Sequence, residues 1–588
     1  MMHADISSRA VLPDEIAFDA PGAPRAHDLS CPACGARGPA ARVLSVPSIG
    51  PPHPTLELFR CEACGTLVFD PPAVTDFADV DQVGGDAWRH YVEAGGDVWE
   101  ALWPALIARE RGSLLDVGCG FGFGVDFWRG SGRGEAIGVE SAIYGRLGRE
   151  MLGAPIVSER LDTSAHLAGR RFDVVLASEV IEHTSDPRAF VAVLAGHVAD
   201  DGVLVLTTPD ASCIDPSTEP ATTLAALSPG FHGFVLSRQA FDAAVEAAGF
   251  AHRHWRSFNG RQFLWASRRA FALPDNRDAY RAPVLDYLAR RGQEDALEPS
   301  VRIGYLFRLC RDLTRARRFA EAGSVLHHLD ALIAERHGTE ALDPARAIER
   351  LRACRTPQEA GGVGSYCLPM RFLFAAQIAQ NLRGDYAGAL ASYRAAAEAT
   401  EICAALGPVW FMEAIATLWT MRIDGALLGL ALGSESAADE LALAVDEGWK
   451  PMREHAFATV APGYLDRLLP AVAEDLLQRG GWSAARKVAD MTRRHVERAY
   501  ARRLVEVAEI EAALADPAAA LPPWPLFVPW FDALLQLGPG GDPSRGQALA
   551  GEVLRVAEAH ARDPRCGDEL RALAQRVRER FGAVDPAR

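Results

Sequence analysis

The chain has 588 residues, 49% of them hydrophobic and 23% charged, and carries a formal net charge of −16. That length allows about three or four domains with large cores, and so acidic a chain repels a phosphate backbone, which disfavours nucleic acid as a partner. Met1 to Ala20 lacks a sustained apolar run and carries Asp5, Asp14 and Glu15, unlike a secretory leader, and the apolar run near Ala426 to Leu432 is far too short to cross a bilayer. A cytoplasmic location without a membrane span is therefore expected. The eleven cysteines agree: four fall in CxxC pairs, and singles such as Cys310, Cys354 and Cys403 read as small buried hydrophobes.

Residues 1–30 are rich in Pro, Ala and Asp without periodicity and read as a flexible arm. In residues 31–70, Cys31-Pro-Ala-Cys34-Gly35 and Cys61-Glu-Ala-Cys64-Gly65 form two knuckles. Four thiolates suit tetrahedral Zn²⁺, and with all four positions taken by protein the site is structural rather than catalytic. Two disulfides are the alternative, which a reducing compartment disfavours. Val43 to Val46 and Leu56 to Phe59 are expected as hairpin strands inside the 26-residue spacer. Residues 71–110 read as a linker with helices around Trp88-Arg89-His90-Tyr91 and from Val98 to Arg109.

Residues 111–268 alternate strands and helices. Strands are expected at 114–117, 136–140, 155–157, 173–177, 202–207, 251–257 and 261–266, which predicts a doubly wound, mostly parallel sheet with its ligand at the carboxyl ends of the first strands. Leu114-Leu115-Asp116 runs into glycines at 118, 120, 122 and 124, a turn that lets backbone approach a ligand. Ala136 to Glu140 ends in a carboxylate placed to take both hydroxyls of a ribose. The pattern Asp-x-Gly-x-Gly-x-Gly is not a dinucleotide fingerprint. It resembles motif I of the class I S-adenosylmethionine (SAM) methyltransferases. Phe172 to Ser178 and Asp201 to Pro209 resemble that family's fourth and fifth strands. The resemblance implies a Rossmann-like fold whose last strand is antiparallel. It implies SAM as cofactor, held by Asp116, Gly118, Gly120, Gly122, Glu140 and Ser178, with Asp162 near the adenine and Tyr91 as a candidate lid residue over the cofactor. A zinc ribbon in front of this fold resembles a group of bacterial methyltransferases that act on sugars.

Residues 269–300 read as a polar linker. From 301 to 588 the chain becomes Ala-, Leu-, Arg- and Glu-rich and helical, a tail expected to be separable from the catalytic domain. Gly384 to Ala396 resembles the tetratricopeptide repeat, with Ala389, Tyr393 and Ala396 as interlocking residues, although Gln377 and Glu401 stand where that repeat has glycine and proline. Weaker echoes begin at Phe319 and Trp482. An array of degenerate helical hairpins is expected, able to recruit a protein partner, with an irregular all-α domain as the alternative.

The acceptor side is expected after the fourth strand. If Glu179-Val-Ile-Glu182-His183 starts a helix, Glu179, Glu182 and His183 share one face. Two carboxylates and an imidazole can hold a divalent cation, and His232 in His-Gly-Phe-Val-Leu-Ser-Arg is a further ligand. This pairing resembles the metal site of the small-RNA 3′-terminal 2′-O-methyltransferases, where the metal grips a vicinal diol; Mg²⁺ or Mn²⁺ is then implied. Without metal, His183 or His232 is the general base, with a rate that falls as pH drops through about 6.5. The whole reads as a multidomain enzyme that methylates a hydroxyl of a sugar, glycan precursor or other small molecule. C- or N-methylation, or a SAM-binding scaffold, are the alternatives.

Overall fold

A computed structural model describes residues 16–19, 27–48, 55–71, 87–95, 98–216, 218, 220–258, 260–434, 436–448, 465, 468–499, 507–515, 526–562 and 567–582. The chain divides into two compact units, Met1–Leu418 and Trp419–Arg588.

The first unit begins with an antiparallel sheet. Strands β1 (Ala17–Phe18), β2 (His27–Ser30), β3 (Arg37–Pro47), β4 (Thr55–Arg60) and β5 (Leu67–Asp70) form it, with β1 and β2 both pairing with β3. The expected hairpin around Val43–Val46 and Leu56–Phe59 is present as β3 and β4. Most of the expected flexible arm lies outside the described residues, but its segments 17–18 and 27–30 are paired strands rather than free chain. Their alternation was too short to stand out from the surrounding Pro and Ala.

The central sheet carries β6 (Leu114–Val117), β7 (Ala136–Val139), β8 (Ile156–Val157), β9 (Phe172–Ser178) and β10 (Val198–Pro209). These are near-continuous apolar runs, as strands covered on both faces must be. A short strand, β11 (Phe234–Val235), then joins the first sheet, and β12 (His252–Phe258) and β13 (Arg261–Ser267) complete the central one. The central order is β12-β13-β10-β9-β6-β7-β8, with β13 antiparallel to both neighbours. This is the doubly wound sheet that the spacing predicts, with the antiparallel last strand that the resemblance implies.

The cysteine knuckles are not a separate bead on this fold. β11, from the catalytic segment, pairs with β5 through Phe234 to Val68 and Val235 to Leu67. The apolar face of β3–β5, including Leu44, Leu58 and Phe69, shares one core with Ala211, Ile214 and Leu227. The expected boundary at residue 70 therefore does not separate two cores.

Helices α1 (Ala87–Glu93), α2 (Val98–Ala108), α3 (Phe123–Gly130), α4 (Ile143–Leu152), α5 (Pro187–Gly196), α6 (Pro220–Leu227) and α7 (Arg238–Ala247) surround the sheets. The expected linker 269–300 instead contains α8 (Arg281–Gly292) and runs into α9 (Pro299–Arg315). α8 turns Val284, Leu285, Tyr287 and Leu288 inward. The Tyr287 hydroxyl donates to the Asp126 carboxylate of α3 at 2.6 Å, and Arg291 pairs with the same carboxylate at 2.9 Å. Arginines and prolines among these apolar positions made the helix look like linker. The expectation of a tail separable from residue 301 is corrected in the same way: a chain ending at Pro283 would strip α8 and α9 from α3, and the first unit runs to Leu418.

Beyond α9 come α10 (Phe319–His337), α11 (Pro344–Arg352), α12 (Pro357–Gly364), α13 (Leu368–Ile378) and α14 (Tyr386–Leu406). Each repeat-like echo starts a helix: Phe319 opens α10, Tyr386 opens α14, and Trp482 opens a helix of the second unit, Trp482–Ala499. The alanine three residues on, Ala322, Ala389 or Ala485, is buried each time. Tyr393 and Ala396 are buried too, with the Tyr393 hydroxyl donating to Gln380 at 2.9 Å. Helix lengths from 8 to 21 residues make the array irregular. The helix Met412–Ala431 extends well beyond the apolar run read from sequence. Its segment Glu413–Ala431 has the length and apolar content of a membrane span, with half of the most apolar window buried inside the protein, as in a core helix. In the second unit, helices pack around Leu441, Leu469, Val488, Trp530, Val553 and Leu573.

Candidate active site

The carboxyl ends of β6, β7 and β9 bring the expected cofactor residues together. Gly118, Gly120 and Gly122 all adopt left-handed backbone, at φ of 73°, 54° and 82°, and Gly122 is the residue on which α3 starts. A Cβ on Gly118 would sit 2.4 Å from Val180, and one on Gly120 would sit 2.5 Å from the Tyr91 hydroxyl. Glycine is required here both by conformation and by space. Glu140, directly after β7, is oriented before any ligand arrives: its carboxylate accepts from the Gly120 amide at 3.0 Å and the Ala142 amide at 2.9 Å. Tyr91 lies over the glycine turn, its ring tilted against that of Tyr144 of α4 with centroids 4.8 Å apart. The residues therefore fit a nucleoside-bearing cofactor: an open backbone cradle, a fixed carboxylate and an aromatic cover.

Ser178 ends β9 and shares a hydrogen bond of 2.8 Å with Thr207, which donates to Glu179 at 2.8 Å. Asp162 is not gathered into this group. It sits exposed in the turn after β8, paired with Arg160 at 3.1 Å. Its assignment rested on its place in the chain alone.

Asp116 is buried at the end of β6, and burial, then the nearby Glu140 carboxylate, push its carboxyl up to about 7. An unfolded aspartate titrates near about 3.9. The folded protein thus holds this proton more tightly, and stability falls as pH rises from about 4 through about 7. Asp116→Asn is expected to raise the stability of the ligand-free protein at about pH 8 by up to about 4 kcal/mol while changing little near pH 4. Calorimetric melting at the two pH values checks this; wild type and variant melting together at the higher pH would contradict it.

The acceptor-side cluster forms, but not on an α-helix. Glu179 takes a left-handed φ of 56°, and only Ile181–His183 form a short 3-10 turn. Glu179 instead turns to Thr207 and to Arg261, the latter at 3.4 Å. It is thereby removed from the expected metal set. Glu182, His183 and His232 do converge, with candidate ligand atoms all within 4.8 Å of one another. His232 Nε2 lies 3.9 Å from Glu182 Oε1. His183 Nδ1 lies 2.9 Å from the Phe231 carbonyl and His232 Nδ1 lies 2.9 Å from the Ala226 carbonyl. A carbonyl accepts, so each Nδ1 carries the proton and each Nε2 the lone pair. Glu182 Oε2 accepts from Thr208 at 3.0 Å, whereas Oε1 is buried with no hydrogen-bond partner. An orphaned carboxylate oxygen facing imidazole nitrogens fits a cation or an acceptor proton.

Burial sets the charge of this cluster. It raises the Glu182 carboxyl well above its usual range, with Glu179 adding to the effect, and lowers His183. Burial, reinforced by His183, takes His232 down to about 3. Both imidazoles are held below their ordinary range, so a fall in rate is expected at a lower pH than about 6.5.

The four knuckle sulfurs also converge. Cys31 and Cys64 Sγ are 3.7 Å apart, and Cys34 and Cys61 Sγ 3.6 Å. Four thiolates about 2.3 Å from a tetrahedral Zn²⁺ would stand about 3.8 Å apart. None of the four is in a disulfide. The turns are alike, with Gly35 and Gly65 both at φ 76°. Ser237, which caps α7 by accepting from Ala240 N, also hydrogen-bonds the Cys64 carbonyl, and Gly233 N donates to the Glu182 carbonyl at 3.0 Å. The knuckles, β11 and His232 are thus one connected structure. Sequence spacing could not reveal this, because the pairing partner lies about 170 residues away.

Residues 88–254 match a family model described as a methyltransferase domain. This stretch is accordingly the catalytic domain of an enzyme that uses SAM. Among solved structures, an O-methyltransferase family protein from Burkholderia thailandensis is 17% identical, over 33% of this chain and 59% of that one, with a TM-score of 0.24. A TehB-like SAM-dependent methyltransferase from Corynebacterium glutamicum is 15% identical, over 32% and 96%, with a TM-score of 0.24. The N-terminal domain of EvdMO1 with SAH bound is 19% identical, over 29% and 79%, with a TM-score of 0.23. The chain spans about three fifths of the length of the Burkholderia protein. At these scores such likenesses say nothing of the acceptor. No curated protein matches the chain.

Proposed function

We propose that this chain is a cytoplasmic SAM-dependent O-methyltransferase whose acceptor is a hydroxyl of a sugar, a glycan precursor or another small hydroxylated molecule. One observation carries the reading. The segment 179–183 touches both halves of the site, since Val180 packs against Gly118 of the cofactor turn while Glu182 and His183 meet His232.

SAM supplies an electrophilic methyl on a sulfonium. The chain's part is to hold that methyl in line with the acceptor and to take the hydroxyl proton, and positioning alone is worth several orders of magnitude in rate. The glycine turn and Glu140 hold the nucleoside end, and Tyr91 covers it. His183 and His232 present lone pairs at Nε2, fixed in that tautomer by the carbonyls behind them, and are neutral bases at physiological pH. Glu182, oriented by Thr208, lies beside His232 and fixes the orientation of that imidazole.

The same three side chains would hold a divalent cation, which would lower the pKa of a bound hydroxyl. Two imidazoles and one carboxylate suit Mn²⁺ or Zn²⁺ better than Mg²⁺, which prefers oxygen ligands. The four knuckle cysteines are assigned a structural Zn²⁺.

Glu182→Gln and His232→Ala are each expected to lower methyl transfer by about 10²-fold to 10⁴-fold. SAM affinity should stay within about twofold, because neither side chain belongs to the cofactor turn. Turnover and SAM titration on the same preparations check this. Full activity of both variants would remove the cluster from catalysis. If a chelator abolishes wild-type activity and Mn²⁺ restores it, the cluster is a metal site; full activity in chelator leaves the imidazoles as simple bases.

A further inference from the structure

The helix that covers the cofactor turn is held by residues far outside the methyltransferase match. α1 is only Ala87–Glu93, too short to be stable by itself. Its last carbonyls are gathered by Arg308 of α9. Arg308 Nη1 donates to the Val92 carbonyl at 2.6 Å and to Gly304 at 2.9 Å, and Nη2 donates to Tyr91 at 3.1 Å and to Gly95. The guanidinium is buried and also lies over the ring of Phe123, 5.3 Å from its centroid. Phe123 is the first residue of α3, immediately after Gly122 of the turn. One side chain therefore joins the cover, the cofactor turn and the helical region.

The close approach is built into the sequence of α9. A Cβ on Gly304 would stand 2.0 Å from the Val92 carbonyl, so only glycine lets α9 come this near. A second clamp holds the other side of α1. Glu93 is fully buried; its Oε1 accepts from Arg89 at 3.1 Å, and its Oε2 accepts from the Ser365 hydroxyl at 2.6 Å and the Tyr366 amide at 3.1 Å. Ser365 holds a left-handed φ of 77° to reach it. His90 rests between Tyr366 and Trp410, 5.4 and 5.0 Å from their ring centres. Buried charges this well partnered fix geometry more than they add stability.

We propose that Arg308 is a positioning residue of the SAM site, acting through Tyr91, and that α9 and the Ser365-Tyr366 turn form the outer support of that site. This rests on the reading of the glycine turn as the SAM cradle. Arg308 need not touch the cofactor; it sets the place of Tyr91 over Gly120. Helical segments outside the family match then bear directly on cofactor affinity, which makes them more than a docking arm.

The test is a double-mutant cycle on the full chain, with SAM affinity measured by titration. Arg308→Met leaves buried carbonyls of α1 unpaired and is expected to weaken SAM binding about 10-fold to 100-fold. Arg308→Lys, which keeps the charge but not the fork, should fall between. In a Tyr91→Ala background, Arg308→Met should add less than about twofold, because the residue it acts through is gone. A merely structural role would give the full loss in both backgrounds and overturn the proposal, as would wild-type affinity in a folded Arg308→Met. If Arg308→Met does not fold, hydrogen exchange on the wild type decides. SAM should slow exchange in 87–95, in α9 and at 365–367; slowing confined to 114–140 overturns the proposal. Wild type that binds no SAM overturns both this proposal and the cofactor reading, whereas normal binding in the variants overturns this proposal alone.

Discussion

Gly120→Val is expected to abolish SAM binding. Gly120 sits at φ 54°, a conformation that a β-branched residue adopts only under strain. A Cβ there meets the Tyr91 hydroxyl at 2.5 Å, so the valine also pushes the aromatic cover off the turn. The two effects act at one place, and a loss of at least about 10²-fold in affinity follows from about 3 kcal/mol of combined strain and displacement. Gly153→Val is the control. Gly153 ends α4 at φ 66° with open space around it, so it shares the backbone strain without the steric contact. That variant should melt lower and bind SAM normally. Calorimetric titration of both variants checks the pair. Equal affinity in wild type and Gly120→Val would contradict the placement of the cofactor.

Loss of Cys61 is expected to damage more than the knuckles. Purified protein should carry one zinc per chain, and structural zinc supplies about 10–16 kcal/mol of apparent folding energy in small domains. Here the sheet that the knuckles close includes β11, and Ser237 binds the Cys64 carbonyl. Cys61→Ser should therefore unfold β3–β5 and loosen 232–236, which carries His232. Methyl transfer should fall with it, while SAM affinity, set at the ends of β6 and β7, should hold. Hydrogen exchange by segment and elemental analysis check this. A zinc-free wild type with stable β3–β5 would contradict the assignment.

What was legible in the chain follows the range of the forces involved. β6, β7 and β9 could be read because strands buried on both faces are apolar runs, and the glycine turn could be read because backbone at positive φ demands glycine. The candidate cluster was half legible. Glu182, His183 and His232 were named from sequence, but Glu179 was misplaced, because a local helix rule cannot foresee its left-handed backbone and its turn toward Arg261. Asp162 was placed by chain position alone and lies exposed beside Arg160. The misread boundaries at 70, 269 and 301 have one cause. β11 with β5, Asp126 with Tyr287 and Arg291, and Glu93 with Ser365 are all pairings distant in sequence, each made by side chains or short strands that leave no period behind them.

We propose that this chain moves a methyl group from SAM to a hydroxyl of a small acceptor. It is tested most directly by incubating the purified protein with methyl-labelled SAM and the fractionated contents of its own cells. The expected result is release of SAH matched by label in a low-molecular-mass or glycan fraction as an O-methyl group, lost in Glu182→Gln and in Gly120→Val. A folded, SAM-binding protein that releases no SAH with any fraction, or one whose label appears only in nucleic acid or on carbon or nitrogen, would contradict it.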